Sequence, residues 1–376
     1  MKRIFYFLII LFIVSCADEQ KQLSVIGTRN GDLIIVKPDE VKDTVDLNLS
    51  DFVEDIEIVR LENTKGSLVK PAPVILSDNY ILTGMSDMKL FDRKTGKYIG
   101  NVGYSGRGPG EYRSAIYSAQ IDEKAGSIYM LSYLNQTDRL ELLVYDLNGK
   151  WRGKNIPLAS LPPKGVFHVD SEHNRLRIAA SPFDGWCEYV AWEQDLEGNM
   201  INGVKTKHLA VCPDYSNEIS QSRNTQNFDF SLFDIRKAKD TLYHYNGGDQ
   251  LSPVFYVDCG SKKAFRFYYE LPTVFVATVD INPTSKTRWP QMFVNKETLQ
   301  GAWCKLRNDF LGGAETAFAF IGNGYYAHSI EPALLFDEIE SARESATGKV
   351  RERIDYILAN VKEDDNNVVI IGKLKQ

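Results

Sequence analysis

The sequence predicts an all-β fold, a six-bladed β-propeller with a short C-terminal helical insertion before the closing strand. Three observations support this prediction. Short apolar or alternating runs recur along the 376 residues, and turns of one shared design separate several of them. Two intervals between such turns are each about fifty residues long, which is typical of a four-stranded propeller blade. An array of β-sandwiches is the competing architecture.

The recurring runs have the length and composition of β-strands, rich in branched and aromatic side chains. The predicted strands include residues 56–61, 128–131, 142–147, 175–180, 241–245, 254–258 and 316–321. Three of the turns, at residues 92–97, 146–150 and 195–199, place an aspartate before a glycine. Because a carboxylate can accept hydrogen bonds from the turn backbone and glycine can adopt a positive φ, each turn is predicted to close a hairpin.

The C-terminal part loses strand alternation after Pro332 and shows helical spacing of apolar residues instead, with a break near Gly348. This pattern predicts two helices within about residues 333–361. Their apolar faces either cover blade edges or bind a partner protein. A last strand from Val368 completes the final blade, and we expect strands from the two chain ends to pair, because an open ring exposes two sheet edges.

The first sixteen residues have the features of a bacterial lipoprotein signal peptide. Lys2 and Arg3 precede an apolar run over residues 4–14, which ends just before Cys16. The run is short for a permanent bilayer-spanning helix, so residues 1–15 are predicted to be removed and Cys16 to be lipidated; an uncleaved anchor is the alternative.

Lipidation of Cys16 predicts that the protein is attached to a membrane through its N-terminus, because several acyl chains together hold a protein firmly. The expected location is the cell envelope, as an outer-membrane lipoprotein, with the periplasmic and surface-exposed orientations both open. Residues 16–48 are then an N-terminal tether and entry strand, and residues 49–376 form the propeller.

Composition and cysteine spacing exclude several classes of protein. The chain has 44 Lys and Arg against 50 Asp and Glu, a formal net charge of -6. It lacks the dense basic block with which most nucleic-acid-binding proteins attract phosphates, so we expect no nucleic acid as partner. No C-x-x-C pair is present, and the spacing fits neither a zinc ribbon nor a thioredoxin-type site. Disulfides and buried free thiols both remain open for Cys187, Cys212, Cys259 and Cys304.

No catalytic or metal-binding constellation stands out. His168 and His173 lie near each other but without an H-E-x-x-H arrangement. Residues 170–174 lack the central glycine and distal glutamate of a calcium loop, and are predicted to form a hairpin turn. A G-x-S-x-G motif is also missing. We therefore expect no catalytic residue, no bound metal and no cofactor.

Five residues are candidates for ligand binding. In the glycine-rich loop of residues 103–112, backbone N–H groups could cradle an anion that Arg107 neutralises, with Glu111 fixing Arg107 and Tyr112 adjacent. The alternative is a tight crossing between blades in which Glu111 ties down backbone. Trp186 and Trp289 could stack on a sugar or peptide, or could pack between blades instead.

Three segments resemble a known family. Residues 49–62, LSDFVEDIEIVRLE, are similar to the entry segment of the six-bladed β-propeller lipoproteins of Bacteroidota. Residues 91–112 resemble that family's first blade with its G-x-G-P-G-E-aromatic loop, and residues 363–371 resemble its closing segment, with Asn367 where proline is more usual. The resemblance covers nearly all of the mature chain. It implies a TolB-like or NHL-like propeller in the cell envelope with no assigned activity.

Three functional hypotheses follow. The leading one is a membrane-anchored, extracytoplasmic binding module for a glycan, a peptide or another envelope protein. The second is a metal-dependent propeller enzyme of the lactonase or lyase type, which would hold calcium with acidic and amide side chains in its central channel. The third is a structural subunit of an envelope complex, which would dock through the C-terminal helices.

Replacing Cys16 tests the proposed anchor. In cells fed an alkyne-labelled fatty acid, we expect the wild-type protein to carry the label and to sediment with membranes. The Cys16→Ala variant should lose the label and leave the membrane fraction, because the acyl chains are what hold it there. An unlabelled wild-type protein, or a variant that keeps the label, would contradict the prediction.

Overall fold

The structure is a computed structural model that describes residues 23–70, 72–233, 240–262, 264–280 and 290–376. Six antiparallel sheets, each built around four strands, are arranged as blades around a central channel. The prediction of a six-bladed β-propeller is therefore confirmed. In every blade the strand that comes first in the chain lies at one end of the sheet order, next to the channel.

The first half of the chain forms an N-terminal segment and three blades. Before blade I come β1 to β4, at Gly27–Asn30, Leu33–Val36, Thr44–Asn48 and Val53–Arg60. Blade I contains β5 to β8, at Val74–Leu76, Tyr80–Thr83, Lys89–Asp92 and Tyr98–Asn101. Two short strands follow, β9 and β10, at Tyr104–Ser105 and Glu111–Tyr112. Blade II contains β11 to β14, at Ile116–Asp122, Ser127–Ser132, Glu141–Asp146 and Ile156–Pro157. Blade III contains β15 to β18, at Gly165–Asp170, Arg175–Ala180, Tyr189–Gln194 and Met200–Lys205.

The second half forms three more blades and two helices. Blade IV contains β19 to β22, at Glu218–Ser220, Asp229–Phe233, Thr241–His244 and Ser252–Val257. Blade V contains β23 to β26, at Phe265–Glu270, Val274–Asp280, Gln291–Asn295 and Gly301–Asn308, with β27 at Ala314–Thr316. Blade VI contains β28 to β30, at Ile321–Gly322, Tyr325–Ile330 and Val368–Leu374, and the helices α1 and α2 precede β30, at Pro332–Arg343 and Gly348–Asn360. Short 3-10 helices lie at Pro38–Glu40, Leu49–Asp51, Lys207–Leu209, Asp309–Leu311 and Phe318–Phe320.

Strands from the two ends of the chain close the ring. β4 pairs antiparallel with β30, from Arg60 opposite Val368 to Val53 opposite Leu374. On its other edge β30 pairs with β29, so β4 is the outermost strand of blade VI. The predicted pairing of the chain ends is confirmed, and the ring rules out the competing array of sandwiches.

The N-terminal segment before β4 lies along the outside of two blades. β2 pairs parallel with β22 at the edge of blade IV, and β1 forms a hairpin with β2. β3 pairs parallel with β26 of blade V. The sequence predicts a tether and an entry strand over residues 16–48. In the structure, the described part of this range covers two sheet edges that would otherwise face solvent.

The three aspartate–glycine turns connect the third and fourth strands of blades I, II and III, as hairpin turns. Gly96, Gly149 and Gly198 have positive φ angles of 70°, 78° and 94°. A Cβ on Gly96 would lie 1.9 Å from the carbonyl oxygen of Arg60, and one on Gly149 would lie 2.1 Å from that of Asn101. Both carbonyls belong to the outermost strand of the preceding blade. The glycines thus permit close contact between neighbouring blades as well as the turn itself.

The two C-terminal helices pack against the propeller. Leu335 and Ile339 of α1 and Ile354 and Ile357 of α2 are fully buried, in one cluster with Leu311 and core residues of blades V and VI. The predicted helices are confirmed, and the propeller covers the apolar residues on their inner faces, whereas Leu334 is 55% exposed. None of the described helices is both long and apolar enough to cross a membrane.

The predicted strand at residues 316–321 is wrong. The segment contains the end of β27, a 3-10 helix at Phe318–Phe320 and the start of β28. Phe318 is fully buried and contacts Phe52 edge-to-face, with ring centroids 5.2 Å apart. Burial of this ring favours a tight turn over a continuous strand, although the local composition favours a strand.

Replacing the turn glycine of blade II tests the contact between blades. Gly149 and Gly153 both have left-handed backbone, but a Cβ on Gly153 would meet nothing within 4 Å. Gly153→Ala should therefore lose only the conformational term, about 1–2 kcal/mol. We expect Gly149→Ala to lose on the order of 3 kcal/mol or more, because the methyl group also overlaps the Asn101 backbone. Urea unfolding of both variants measures the difference, and equal losses would contradict the contact.

Candidate functional site

The channel has two different ends. We call the side of the disk where the first strand of each blade begins the entry face, and the opposite side, where that strand ends, the exit face. Connections between blades, including residues 103–112, lie on the entry face. Connections between the first and second strands of each blade lie on the exit face. In five blades these connections have two to four residues, but in blade IV the connection comprises residues 221–228.

We call residues 221–228, with the sequence QSRNTQNF, the plug loop. Its Arg223 extends from blade IV to two other blades. The guanidinium donates to the carbonyl oxygen of Ala119 in β11, at 3.1 Å, and to that of Phe167 in β15. The Nε atom donates to the side-chain oxygen of Gln221 at 2.7 Å. Arg223 thereby fixes the plug loop to the innermost strands of blades II and III.

The plug loop also binds blades V and VI. The Asn224 side chain donates to the carbonyl oxygen of Glu270 at 3.0 Å and accepts the N–H of Gly324 at 2.9 Å. The backbone N–H of Asn323 donates to the carbonyl oxygen of Ser222 at 2.7 Å. Five of the six blades therefore hold the loop in one position.

Arg223 adopts a φ of +54°, which non-glycine residues seldom do. Such a conformation costs on the order of 1–3 kcal/mol and persists where the surroundings enforce it. Here the buried carboxylate of Asp229 accepts the backbone N–H groups of Ser222 and Arg223, each at 2.9 Å, and also the Ser222 hydroxyl. Burial raises the pKa of Asp229. These bonds to Asp229 hold Arg223 in its left-handed conformation.

Glu270 also has a buried carboxylate, and its backbone binds the plug loop. Glu270 binds His244 Nε2 at 2.6 Å and Lys296 Nζ at 2.7 Å. Burial alone would raise the pKa of Glu270, but the hydrogen bond and charge of His244, together with Lys296, lower it. The residue is therefore a carboxylate at neutral pH, and its backbone carbonyl accepts the Asn224 bond.

A cavity of about 270 Å³ lies at the plug loop, with walls from blades I, II, III, IV and VI. We call it the channel cavity. Apolar side chains of blades I and II form one part of the wall. The uncharged polar residues of its lining are Gln120, Gln221, Thr225, Gln226, Asn227 and Asn323. Arg177, Arg223 and His168 also line it, whereas no aspartate or glutamate does among the residues that the structure describes.

The basic residues of the channel cavity converge around His168. Arg177 of β16 lies directly opposite His168 of β15, and Arg223 binds the carbonyl of Phe167, the preceding residue. Burial, followed by the positive charges of Arg223 and Arg177, lowers the pKa of His168 to about 4. Burial also lowers the pKa of Arg223, to about 10. At neutral pH the imidazole is uncharged and the guanidinium is charged.

The sequence-predicted residues of the glycine-rich loop lie on the entry face instead. Arg107, Glu111 and Tyr112 line a small cavity of about 50 Å³. The Glu111 carboxylate accepts the N–H of Gly108 at 2.7 Å. Tyr112 is buried, and its hydroxyl accepts the N–H of Met88 at 3.3 Å. Glu111 and Tyr112 thus bind the protein's own backbone, and only Arg107 of the three has an exposed side chain without such a bond among the described residues.

Trp186 also belongs to the entry face, in the connection between β16 and β17. It is half-buried and contacts Phe183 and Tyr215 edge-to-face, with ring centroids 5.7 and 6.4 Å apart. The structure therefore does not bring Trp186 into the channel cavity. Trp289 and Cys16, the other two residues singled out from sequence, lie outside the described residues.

His173 and the four described cysteines lie outside the lining of the channel cavity. No group of three or more His, Cys, Asp or Glu residues is placed there to hold a metal ion. His173, the neighbour of His168 in sequence, binds Asp170 at the β15–β16 turn. The cysteines Cys187, Cys212, Cys259 and Cys304 are free thiols.

Sequence reasoning missed both Arg177 and the plug loop. One signal was available: residues 221–227 form an uninterrupted run of seven polar residues between two strands. Such a run is longer than a two-residue to five-residue hairpin connection needs. Nothing in the sequence indicates that the run turns inward to the channel, because that depends on the placement of the other blades.

These features define a six-bladed β-propeller whose channel is closed by a polar loop. The chain belongs to the family described as Domain of unknown function (DUF4934), whose model matches residues 33–373. No curated protein matches it. A Bacteroides fragilis NCTC 9343 protein inferred to be exported is 14% identical, with a TM-score of 0.59, over 92% of this chain and 100% of that one. This likeness shows a shared fold.

A second similar structure comes from a member of the DUF4221 family of Bacteroides vulgatus ATCC 8482. It is 9% identical, with a TM-score of 0.38, over 85% of this chain and 98% of that one.

Replacing His168 tests the electrostatics of the channel cavity. Its folded-state pKa of about 4 lies below the ordinary 6.5, so the unfolded chain binds more protons between these values and stability falls as pH drops through that window. We expect His168→Gln to reduce this loss, measured by urea unfolding from pH 7 to pH 4. His173, at the turn of the same hairpin and outside the lining of the channel cavity, provides the control. If His173→Gln flattens the profile as much as His168→Gln, the assignment is wrong.

Proposed function

We propose that the protein is a membrane-anchored, extracytoplasmic β-propeller that binds a small polar ligand in the channel cavity. The observation that carries the proposal is the cavity itself. Five blades contribute to its wall, and most of its lining is polar. Binding at such a concave site with a few convergent polar groups is the common arrangement in proteins that recognise small molecules.

The size of the cavity limits the ligand. Pockets for drug-sized ligands have volumes of roughly 300–1,000 Å³, and the channel cavity, at about 270 Å³, lies just below this range. A single sugar residue or an amino acid is of suitable size, whereas a long chain would have to enter by one end. Both a glycan end and a peptide end meet this condition.

The lining supports recognition through hydrogen bonds. Amide side chains offer both donors and acceptors, and Gln226 at the exposed side of the cavity makes no side-chain hydrogen bond with other described residues. The plug loop is already fixed by bonds to five blades, so a ligand has little chain to order when it binds. Such preorganisation favours affinity, because less conformational entropy is lost.

The location outside the cytoplasm rests on the N-terminus. The leader of residues 1–15 and Cys16 have the pattern of an exported lipoprotein. The similar Bacteroides fragilis protein is inferred to be exported, which supports the same compartment for this chain. We propose an outer-membrane lipoprotein whose propeller faces the periplasm or the cell exterior.

Blocking the channel cavity tests the proposal. The mature chain, purified in detergent, is titrated with hexoses, amino sugars, uronic acids and short peptides by calorimetry. We expect at least one of these to bind the wild-type protein, and Gln226→Trp to abolish binding because the indole fills the mouth of the cavity. Gln226 is exposed, so the variant should melt within about 2 °C of wild type, as expected for a surface substitution.

Gln250→Trp is the matched control, since Gln250 is an exposed glutamine on the exit face outside the lining of the channel cavity. It should bind like wild type. The proposal fails if no probe binds at millimolar concentration, or if the two tryptophan variants bind equally well.

A further inference from the structure

Arg177 and Arg223 give the wall of the channel cavity positive charge, and carboxylates of the protein neutralise this charge only in part. Arg177 donates through Nε to Glu193 Oε2 at 2.8 Å, and the same carboxylate pairs with Arg175 at 3.4 Å. Two guanidinium groups therefore share one negative charge. Of the two, only Arg177 lines the cavity.

The positive charge of Arg223 is also incompletely neutralised. Among the residues that the structure describes, no carboxylate forms an ion pair with its guanidinium, whose bonds go to two backbone carbonyls and one amide oxygen. The nearest acid, Asp229, uses its oxygens on the backbone N–H groups of Ser222 and Arg223 and on the Ser222 hydroxyl. A guanidinium has five N–H donors, and these bonds use three of them.

We infer that the ligand of the channel cavity is a carboxylated monosaccharide, a uronic acid, whose carboxylate lies between the Arg177 and Arg223 side chains. The inference rests on the proposed function and specifies the ligand class. A planar guanidinium matches a carboxylate, and charge-assisted hydrogen bonds of this kind are about twice as strong as neutral ones. His168, which lies opposite Arg177 and follows the residue whose carbonyl Arg223 binds, is uncharged and adds no repulsion to either cation.

The remaining lining favours a sugar over a peptide end. A sugar ring presents several hydroxyl groups, each both donor and acceptor, and the amides of Gln226 and Asn227 and the hydroxyl of Thr225 can pair with them in either role. Ile75 and Ile121 give an apolar patch for the C–H groups of the ring. A peptide C-terminus would use the arginines but leave most of the amides unpaired, and unpaired buried polar groups weaken binding.

Two probes of the same size separate charge from shape. The mature chain is titrated by calorimetry with D-glucuronate and with D-glucuronamide, in which a neutral amide replaces the carboxylate. We expect glucuronate to bind about 10–100-fold more tightly, from the strength of hydrogen bonds to charged groups. N-acetylglycine, a carboxylate without hydroxyl groups, should bind at least about tenfold more weakly than glucuronate.

A pair of arginine variants locates the charge. Arg177→Gln should weaken glucuronate binding about tenfold and leave glucuronamide binding within about threefold, because only the charged contact is lost. Arg139→Gln is the control, since Arg139 is an exposed arginine on the entry face outside the lining of the channel cavity; it should bind both probes like wild type. Melting temperatures show whether each variant is folded; if Arg177→Gln is not, the comparison of the two sugar probes on the wild-type protein decides.

The outcomes separate the two proposals. If glucuronamide binds as tightly as glucuronate and Gln226→Trp abolishes both, the carboxylate assignment is wrong and the channel cavity remains a binding site. If N-acetylglycine binds as tightly as glucuronate, the ligand is a peptide end or another simple carboxylate, and the sugar assignment is wrong. If neither sugar probe binds but another probe of the wider panel does so in a Gln226-dependent way, the inference fails and the proposed function stands.

Discussion

The pairing of β4 with β30 is the interaction on which the rest of the structure depends. A propeller has no core at its centre; its channel has a fixed diameter only because the sheets form a closed ring. The closing ladder runs from Arg60 opposite Val368 to Val53 opposite Leu374, and it turns a row of blades into a circle. Without this ladder, the first and last blades would separate. The backbone carbonyls to which Arg223 and Asn224 donate across the channel would then no longer be held at hydrogen-bonding distance.

Within the ring, the contact between neighbouring blades repeats. The turn glycine of blade I lies against the outer strand of blade VI, and that of blade II lies against the outer strand of blade I. Each contact requires a residue without a side chain, because backbone of the next blade occupies the place of the Cβ. The same residue must also adopt a positive φ, which only glycine does at low cost. One residue type therefore satisfies the turn and the packing, and this explains why the turns have a common sequence.

The plug loop has a different physical character from the blades. It places polar side chains and an arginine with left-handed backbone in the middle of the molecule, next to the buried carboxylate of Asp229, where apolar packing would give more stability. Hydrogen bonds from five blades pair these polar groups and hold the strained backbone of Arg223. The ring of blades thus fixes the conformation of the loop, and the loop in turn links the blades. What this arrangement adds beyond stability is a cavity whose donors are fixed before any ligand arrives. Local violations of folding rules of this kind are expected at functional sites.

The sequence by itself determined the repeat, the hairpin turns, the two helices and the joining of the chain ends, because each follows from local periodicity or from the need to cover sheet edges. Most predicted strands lie within a few residues of those observed; the exception, residues 316–321, is bent by burial of Phe318. The candidate site could not be predicted in the same way. Glu111 and Tyr112 carry a conspicuous motif but bind their own backbone, whereas Arg177 and residues 221–228 carry none. Only the tertiary structure decides which polar residues point into the channel, because that depends on how far each blade is rotated about the ring axis, and no local pattern encodes that rotation.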